Sequence, residues 1–140
     1  MADDDVDDQY LVRRAIEDIN VNHVLHTVNN GSQLIDHLLR RGNFSGHSHR
    51  LPDCILLDLN MPLMDGFQTL DLIKANQDLS AIPVYVLSTS RSESDRERSL
   101  RLGAADFYVK PTQFRDLKGI VSDICTRTLR LSGATQYSPS

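Results

Sequence analysis

The 140-residue sequence predicts one α/β domain built on a doubly wound parallel sheet. Three observations carry that expectation. The near-continuous apolar runs "DCILLDLN", "IPVYVLS" and "ADFYVK" lack the alternation of a half-solvated strand and fit strands buried on both faces. Segments with apolar residues three and four apart, the helical spacing, separate them. The connections are short, which favours parallel strands joined by crossover helices.

The chain opens "MADDDVDDQ", with five aspartates among the six residues from Asp3 to Asp8. Such a run is either a solvated acidic arm or a cation site, because carboxylates this close repel unless a metal or a lysine offsets them. "QYLVRRAIEDIN" then places Leu11, Val12, Ala15, Ile16 and Ile19 on one helical face. "HVLHTVN" is short and β-rich and reads as a strand, with His23 and His26 flanking or lining it. "GSQLIDHLLRRG" reads as a helix with Ser32 as N-cap, a stripe of Leu34, Ile35, Leu38 and Leu39, and Gly42 as its stop. "NFSGHSHRLP" is a polar loop, in which His47 and His49 lack the further ligands a metal needs.

After the "CILLD" strand, Pro62 and Gly66 shape a turn into the helix "DGFQTLDLIKAN", with Phe67, Leu70 and Ile73 inward. "SESDRERSLRLGA" is a mostly polar helix in which Ser94 and Glu97 have capping-box spacing. "TQFRDLKGIVSDICTRTLRL" is a long helix with Phe114, Leu117, Ile120, Val121 and Ile124 inward. The domain is expected over 1–131, with 132–140 as a flexible C-terminal tail.

Composition narrows the function. At 40% hydrophobic and 24% charged residues the chain can bury a core. No apolar run approaches the roughly 20 residues that cross a bilayer and no signal peptide is evident, so a cytoplasmic location is expected. A net charge of −4 leaves no basic footprint for direct nucleic-acid binding. Cys54 and Cys125 lie in apolar segments and read as core thiols.

In open parallel sheets, ligands bind outside the carboxyl ends of the strands. The three apolar runs end at Asp58, Ser88 and Lys110, and the Asp3–Asp4 pair should arrive at the same edge. Carboxylates supply hard oxygen ligands for Mg²⁺. An aspartate can attack phosphorus and form an acyl phosphate. That attack joins two negative groups, so it needs cations: a metal on one side and Lys110 on the other. Ser88 and the backbone N–H of Thr89 can donate to phosphoryl oxygens. The set is chemically complete for phosphoryl transfer to Asp58.

The acidic pair, "LLDLNMPLMDG", "VLSTS" and "GAADFYVKP", in this order, resemble the receiver domain of two-component response regulators. The resemblance covers nearly the whole chain. It implies a flavodoxin-like five-stranded parallel sheet of order 2-1-3-4-5, Mg²⁺ dependence, and phosphorylation by a histidine kinase or histidine phosphotransfer protein. By the same resemblance, Asp58 is the phosphoacceptor, Asp4 a direct Mg²⁺ ligand and Asp3 its water-mediated partner. Asn60 would offer its backbone carbonyl to the metal. Ser88 and Phe107 correspond to the switch pair, Lys110 to the family's lysine, and Pro111 to a position that normally carries a cis peptide bond. Asp5, Asp7 and Asp8 read as caps and solvated charge at the start of the first helix.

Two other readings compete. An aspartate-nucleophile phosphohydrolase of the haloacid-dehalogenase type needs a second acid where Asn60 stands, and Asn60 cannot protonate a leaving group. A pseudo-receiver would act as a scaffold without phosphorylation. The receiver reading makes the chain a stand-alone signalling domain rather than an enzyme, acting on a downstream protein target or through a homodimer. The Gly42–Pro52 loop resembles that of stand-alone receivers that partner phytochrome-type histidine kinases. Only Met1 and Ala2 precede Asp3, so the first strand is expected to be truncated here, with apolar residues upstream of Met1 or another chain completing it.

Overall fold

The computed structural model describes residues 1–19, 22–39 and 51–132. Its elements run α1 (Val6–Asp18), α2 (Gly31–Leu39), β1 (Ile55–Leu57), α3 (Gly66–Ala75), β2 (Val84–Ser88), α4 (Glu93–Arg101), β3 (Asp106–Val109) and α5 (Phe114–Ser132). The strands pair in parallel in the order β1-β2-β3, with Ile55 beside Val84 and Val86 beside Phe107.

Two more positions extend that order without forming full strands. Ala2 makes parallel bridges to Leu57 on one side and to Val28 on the other. Its amide donates to the Leu56 carbonyl at 2.9 Å and its carbonyl accepts from Asp58 N at 3.0 Å. Reading across, Val28, Ala2, β1, β2 and β3 follow the expected 2-1-3-4-5 sequence. The "HVLHTVN" strand, however, is not formed: only Val28 bridges, and 22–27 carry no regular structure. A strand needs a ladder of paired residues, and here Val28 pairs with Ala2 alone. A cavity of about 380 Å³ opens beside them, between 22–28 and β1.

The sheet is packed on both faces, which is why its strands read as unbroken apolar runs. Ile55, Leu57, Val84, Val86 and Phe107 share one cluster with Leu34, Leu38, Leu70 and Ile73 from α2 and α3. Leu56, Tyr85 and Leu87 share the other with Val12, Ala15, Leu117, Val121 and Ile124 from α1 and α5. Leu11 departs from its expected inward place and is 39% exposed. Both cysteines are free, as expected of core thiols. Burial raises the thiol pKa of Cys54, and that of Cys125 to about 11.

Two caps differ from expectation. Asn30, not Ser32, caps α2, accepting from Gln33 N at 2.8 Å. Ser92, not Ser94, caps α4, accepting from Asp95 N at 3.2 Å. In both cases the residue outside the first helical turn wins, because a cap must itself keep a non-helical backbone. In α1 the cap is the expected one, although the helix starts earlier than the apolar stripe implies. Asp5 caps it by accepting from Asp7 and Asp8 amides. The Gly42 stop, His47, His49 and the tail beyond Ser132 lie outside the described residues.

Among the described residues, no helix is long and apolar enough to cross a membrane.

The turn after Asp58 is tight. Met64 N bonds the Pro62 carbonyl at 2.7 Å, an i→i+2 turn that leaves Leu63 at φ 67° and 85% exposed. Gly66 then donates to the Leu59 carbonyl at 2.9 Å, so close that a Cβ there would stand 2.6 Å from Leu59 Cα and against the Asp58 carbonyl. Gly66→Ala should therefore destabilise the domain by about 1–3 kcal/mol, because overpacking against backbone outweighs the roughly 1 kcal/mol that alanine gains in helix propensity. Urea unfolding checks this; a midpoint equal to or above wild type refutes it.

Candidate acidic site at the strand ends

Parallel pairing delivers the site. Asp58 follows β1 directly, Ser88 ends β2, and Lys110 follows β3 with its amide on the Ser88 carbonyl at 2.7 Å. Asp3 is brought to the same edge by its amide on the Val28 carbonyl at 3.1 Å. Oxygens of Asp3, Asp4 and Asp58 all lie within 4.8 Å of one another. Asp3 and Asp58 are buried, whereas Asp4 is exposed and faces the site from outside.

One ammonium serves this cluster. Lys110 Nζ lies 2.8 Å from Asp3 Oδ2, 2.7 Å from Asp8 Oδ2 and 3.8 Å from Asp58 Oδ1. Burial alone would lower its pKa, but the contacts with Asp3 and Asp8 outweigh burial and leave it raised. Asp58 Oδ1 accepts from Leu59 N at 2.9 Å, and Asp3 Oδ1 from Asp5 N at 2.9 Å. Burial pushes the Asp58 carboxyl up to about 6 against the opposing pull of Lys110, and Asp3 adds to the rise. Burial also raises Asp3, with Lys110 as the counterweight.

The donor set fits a divalent cation. Asp3 Oδ2 is buried, with no partner beyond the ionic contact to the Lys110 ammonium at 2.8 Å. A buried carboxylate oxygen beside two more carboxylates is a hard, anionic donor set of the kind Mg²⁺ or Mn²⁺ takes with its waters. Asn60 lies two residues past Asp58 and is exposed at the same edge.

The remaining expected residues are distributed unevenly. Ser88 is fully buried, and its Oγ accepts from Ser90 N at 3.1 Å rather than facing Asp58. Thr89 is exposed next to it. Phe107 is already in the core at 6% exposure, so its ring does not wait at the surface. The Lys110–Pro111 bond is trans, not cis; trans is the intrinsically favoured X–Pro isomer, by about 0.5–1 kcal/mol.

Asp8 is the residue that sequence reasoning misses. Its place in the acidic run suggests solvated charge, yet it makes the shortest contact to Lys110. Its position in the first turn of α1 is the available signal, because helical side chains lean toward the N-terminus and hence toward Asp3 and Asp4. Its partner could not be read, being 102 residues away in the chain.

Comparison with known proteins shows what the chain as a whole is similar to. The family model described as "response regulator receiver domain" matches residues 1–122. The response regulator Rcp1 of Synechocystis sp. is 33% identical over 124 residues, spanning 89% of this chain and 83% of that protein. A crystal structure of the phosphorylated cyanobacterial phytochrome response regulator RcpA superposes with a TM-score of 0.80 at 36% identity, covering 88% of this chain and 86% of that one. A crystal structure of the Mn²⁺-bound form of Rcp1 gives 0.78 at 33% identity, covering 88% and 87%.

The raised Asp58 pKa carries a stability consequence for the metal-free protein. The folded state holds the Asp58 proton more tightly than the unfolded chain, whose carboxyl titrates near 3.8. Stability from this group is therefore full below about pH 4 and is lost as pH rises through about 6. Asp58→Asn, which cannot ionise, should raise metal-free stability at pH 7 by about 1–3 kcal/mol. The gain should shrink as pH falls from 6 towards 4. Chemical unfolding across that range with a chelator present is the check, and a gain that grows on acidification refutes it.

Proposed function

This chain belongs to the response regulator receiver domain family, and we propose that it works as a cytoplasmic phosphoacceptor switch. The observation that carries this reading is the buried Asp58 carboxylate at a strand end, facing the Asp3 and Asp4 carboxylates and the Lys110 ammonium. A histidine kinase or histidine phosphotransfer protein is the donor. An Asp58 oxygen forms the new O–P bond while the N–P bond of the donor phosphohistidine breaks. The electron pair stays on the imidazole nitrogen. Mg²⁺, held by Asp3, Asp4, Asp58 and the Asn60 carbonyl, would offset charge on the phosphoryl oxygens.

The protein's own groups do the rest. Lys110 supplies a positive charge beside Asp3, 3.8 Å from Asp58 Oδ1. Thr89 N–H and the Ser88 hydroxyl lie at the end of β2, where they can donate to the phosphoryl group. With Asn60 in place of a second carboxylic acid, leaving-group protonation is disfavoured, so the chain is a phosphoprotein rather than a turnover phosphohydrolase. Likeness to RcpA and Rcp1 favours a phytochrome-type histidine kinase as partner.

The test is uptake of label from a small phosphodonor. Wild type should take up one phosphoryl group, only with Mg²⁺ present, and Asp58→Asn should take up none. Label retained at wild-type level in Asp58→Asn overturns the assignment.

The output is proposed to run through Ser88 and the loop that follows it. Ser88 Oγ is bound to Ser90 N, Ser90 Oγ to Asp95 Oδ2 at 2.7 Å, and Ser92 N to Ser90 Oγ at 3.2 Å. Turning the Ser88 hydroxyl to a phosphoryl group breaks the first of these and releases the loop into α4. Phe107 backs this movement from the core, and Arg96 of α4 is tied to its carbonyl at 3.3 Å. The α4 surface is thereby coupled to the site, for a downstream protein or a second copy of the chain. Ser88→Ala should still accept phosphoryl but lose the phosphorylation-dependent change in partner binding or self-association. A variant that keeps both sinks the switch.

A further inference from the structure

We infer that Asp8 is a positioning residue for phosphoryl transfer, one that holds the Lys110 ammonium in line with Asp58. The inference rests on the reading of Asp58 as phosphoacceptor and adds a residue to that site.

The geometry starts from the three N–H donors of an ammonium, which can serve three acceptors. Around Lys110 the acceptors are Asp8 at 2.7 Å, Asp3 at 2.8 Å and Asp58 at 3.8 Å. Only the first is a well-aligned hydrogen bond. The Asp58 gap is too long for a direct hydrogen bond. It leaves room for an oxygen of a group attached to Asp58 to take the remaining donor.

The other contact is not dependable. Asp3 belongs to the carboxylate trio that fits a divalent cation, and a cation would compete with Lys110 for its Oδ2. Asp8 is outside that trio. It stands on the first turn of α1, a helix docked on α5 through Val12, Ala15 and Leu117, and so is anchored to the scaffold. The lysine stem is supported as well, because a small cavity of about 30 Å³ between Asp8 and Lys110 is walled by Leu11, Val12, Leu87 and Leu117. The apolar walls fit the methylenes and leave the ammonium to the carboxylates. With Asp8 in place, the charge stays aimed at Asp58 whether or not Asp3 is engaged elsewhere.

The experiment compares wild type, Asp8→Ala and Asp8→Asn in phosphorylation by a small phosphodonor at saturating Mg²⁺, with Mg²⁺ affinity measured separately. Asp8→Ala should lower the maximal rate by about tenfold, the scale of loosening one oriented charge, while half-saturating Mg²⁺ stays within about twofold. Asp8→Asn, which still accepts a hydrogen bond, should recover part of the rate. In metal-free protein, the Lys110 side-chain ammonium NMR signal should be protected from exchange in wild type and broadened in Asp8→Ala. An Asp8→Ala rate equal to or above wild type overturns the inference, as does a fall matched by an equal loss of Mg²⁺ affinity. Wild type that takes up no phosphoryl group removes the functional reading itself, and the role of Asp8 with it.

Discussion

One positive charge holds the business edge of this domain together. Asp3, Asp8 and Asp58 converge on the Lys110 ammonium, and two of the three carboxylates are buried. Without it, burial and mutual repulsion would drive these acids to protonate or to splay apart. Even with it, Asp58 is held at about 6, so the compensation is incomplete. An incompletely compensated site is one with room for more cation. The same imbalance that costs stability in the metal-free protein makes the edge a fitting place for a divalent cation.

The ammonium can reach all three acids only because the parallel ladder aligns the strand ends. Each register pair between β1, β2 and β3 moves the next strand terminus to the same level. Packing on both faces keeps that level rigid, with α2 and α3 on one side and α1 and α5 on the other. At the same edge the turn from Asp58 to Gly66 is compressed, with Leu63 held at positive φ. A residue other than glycine in that conformation costs about 1–2 kcal/mol, so the turn stores strain beside Asp58.

The loop from Ser88 to Ser92 is the opposite kind of element. Three serines satisfy one another and the Asp95 carboxylate through single hydrogen bonds. Each such bond has a net worth of about 1 kcal/mol, so the loop has a definite shape that a competing acceptor can change. A rigid edge beside a lightly held loop is the physical arrangement that a phosphorylation switch requires.

How far the sequence alone reached can be followed residue by residue. The three strands were legible because both their faces are buried, and a short continuous apolar run between turn signals is what such a strand requires. Asp58, Ser88 and Lys110 were legible because chemistry at a strand end follows from where the apolar run stops. Caps were less legible: Ser92 and Ser94 are equally plausible in the sequence, and the choice depends on where the backbone leaves the helical region. "HVLHTVN" has strand composition but needs a neighbour to pair with, and with Met1 and Ala2 as that neighbour only Val28 bridges. Phe107 has the same identity inside or outside the core, and its burial was set by the cluster it joins with residues from distant parts of the chain. Asp8 was one of five similar acids until the fold carried Lys110 to it across 102 residues. Sequence determines what depends on local period and composition; pairing between distant residues is decided by tertiary structure, because its energy exists only once the chain has brought them within a few ångströms.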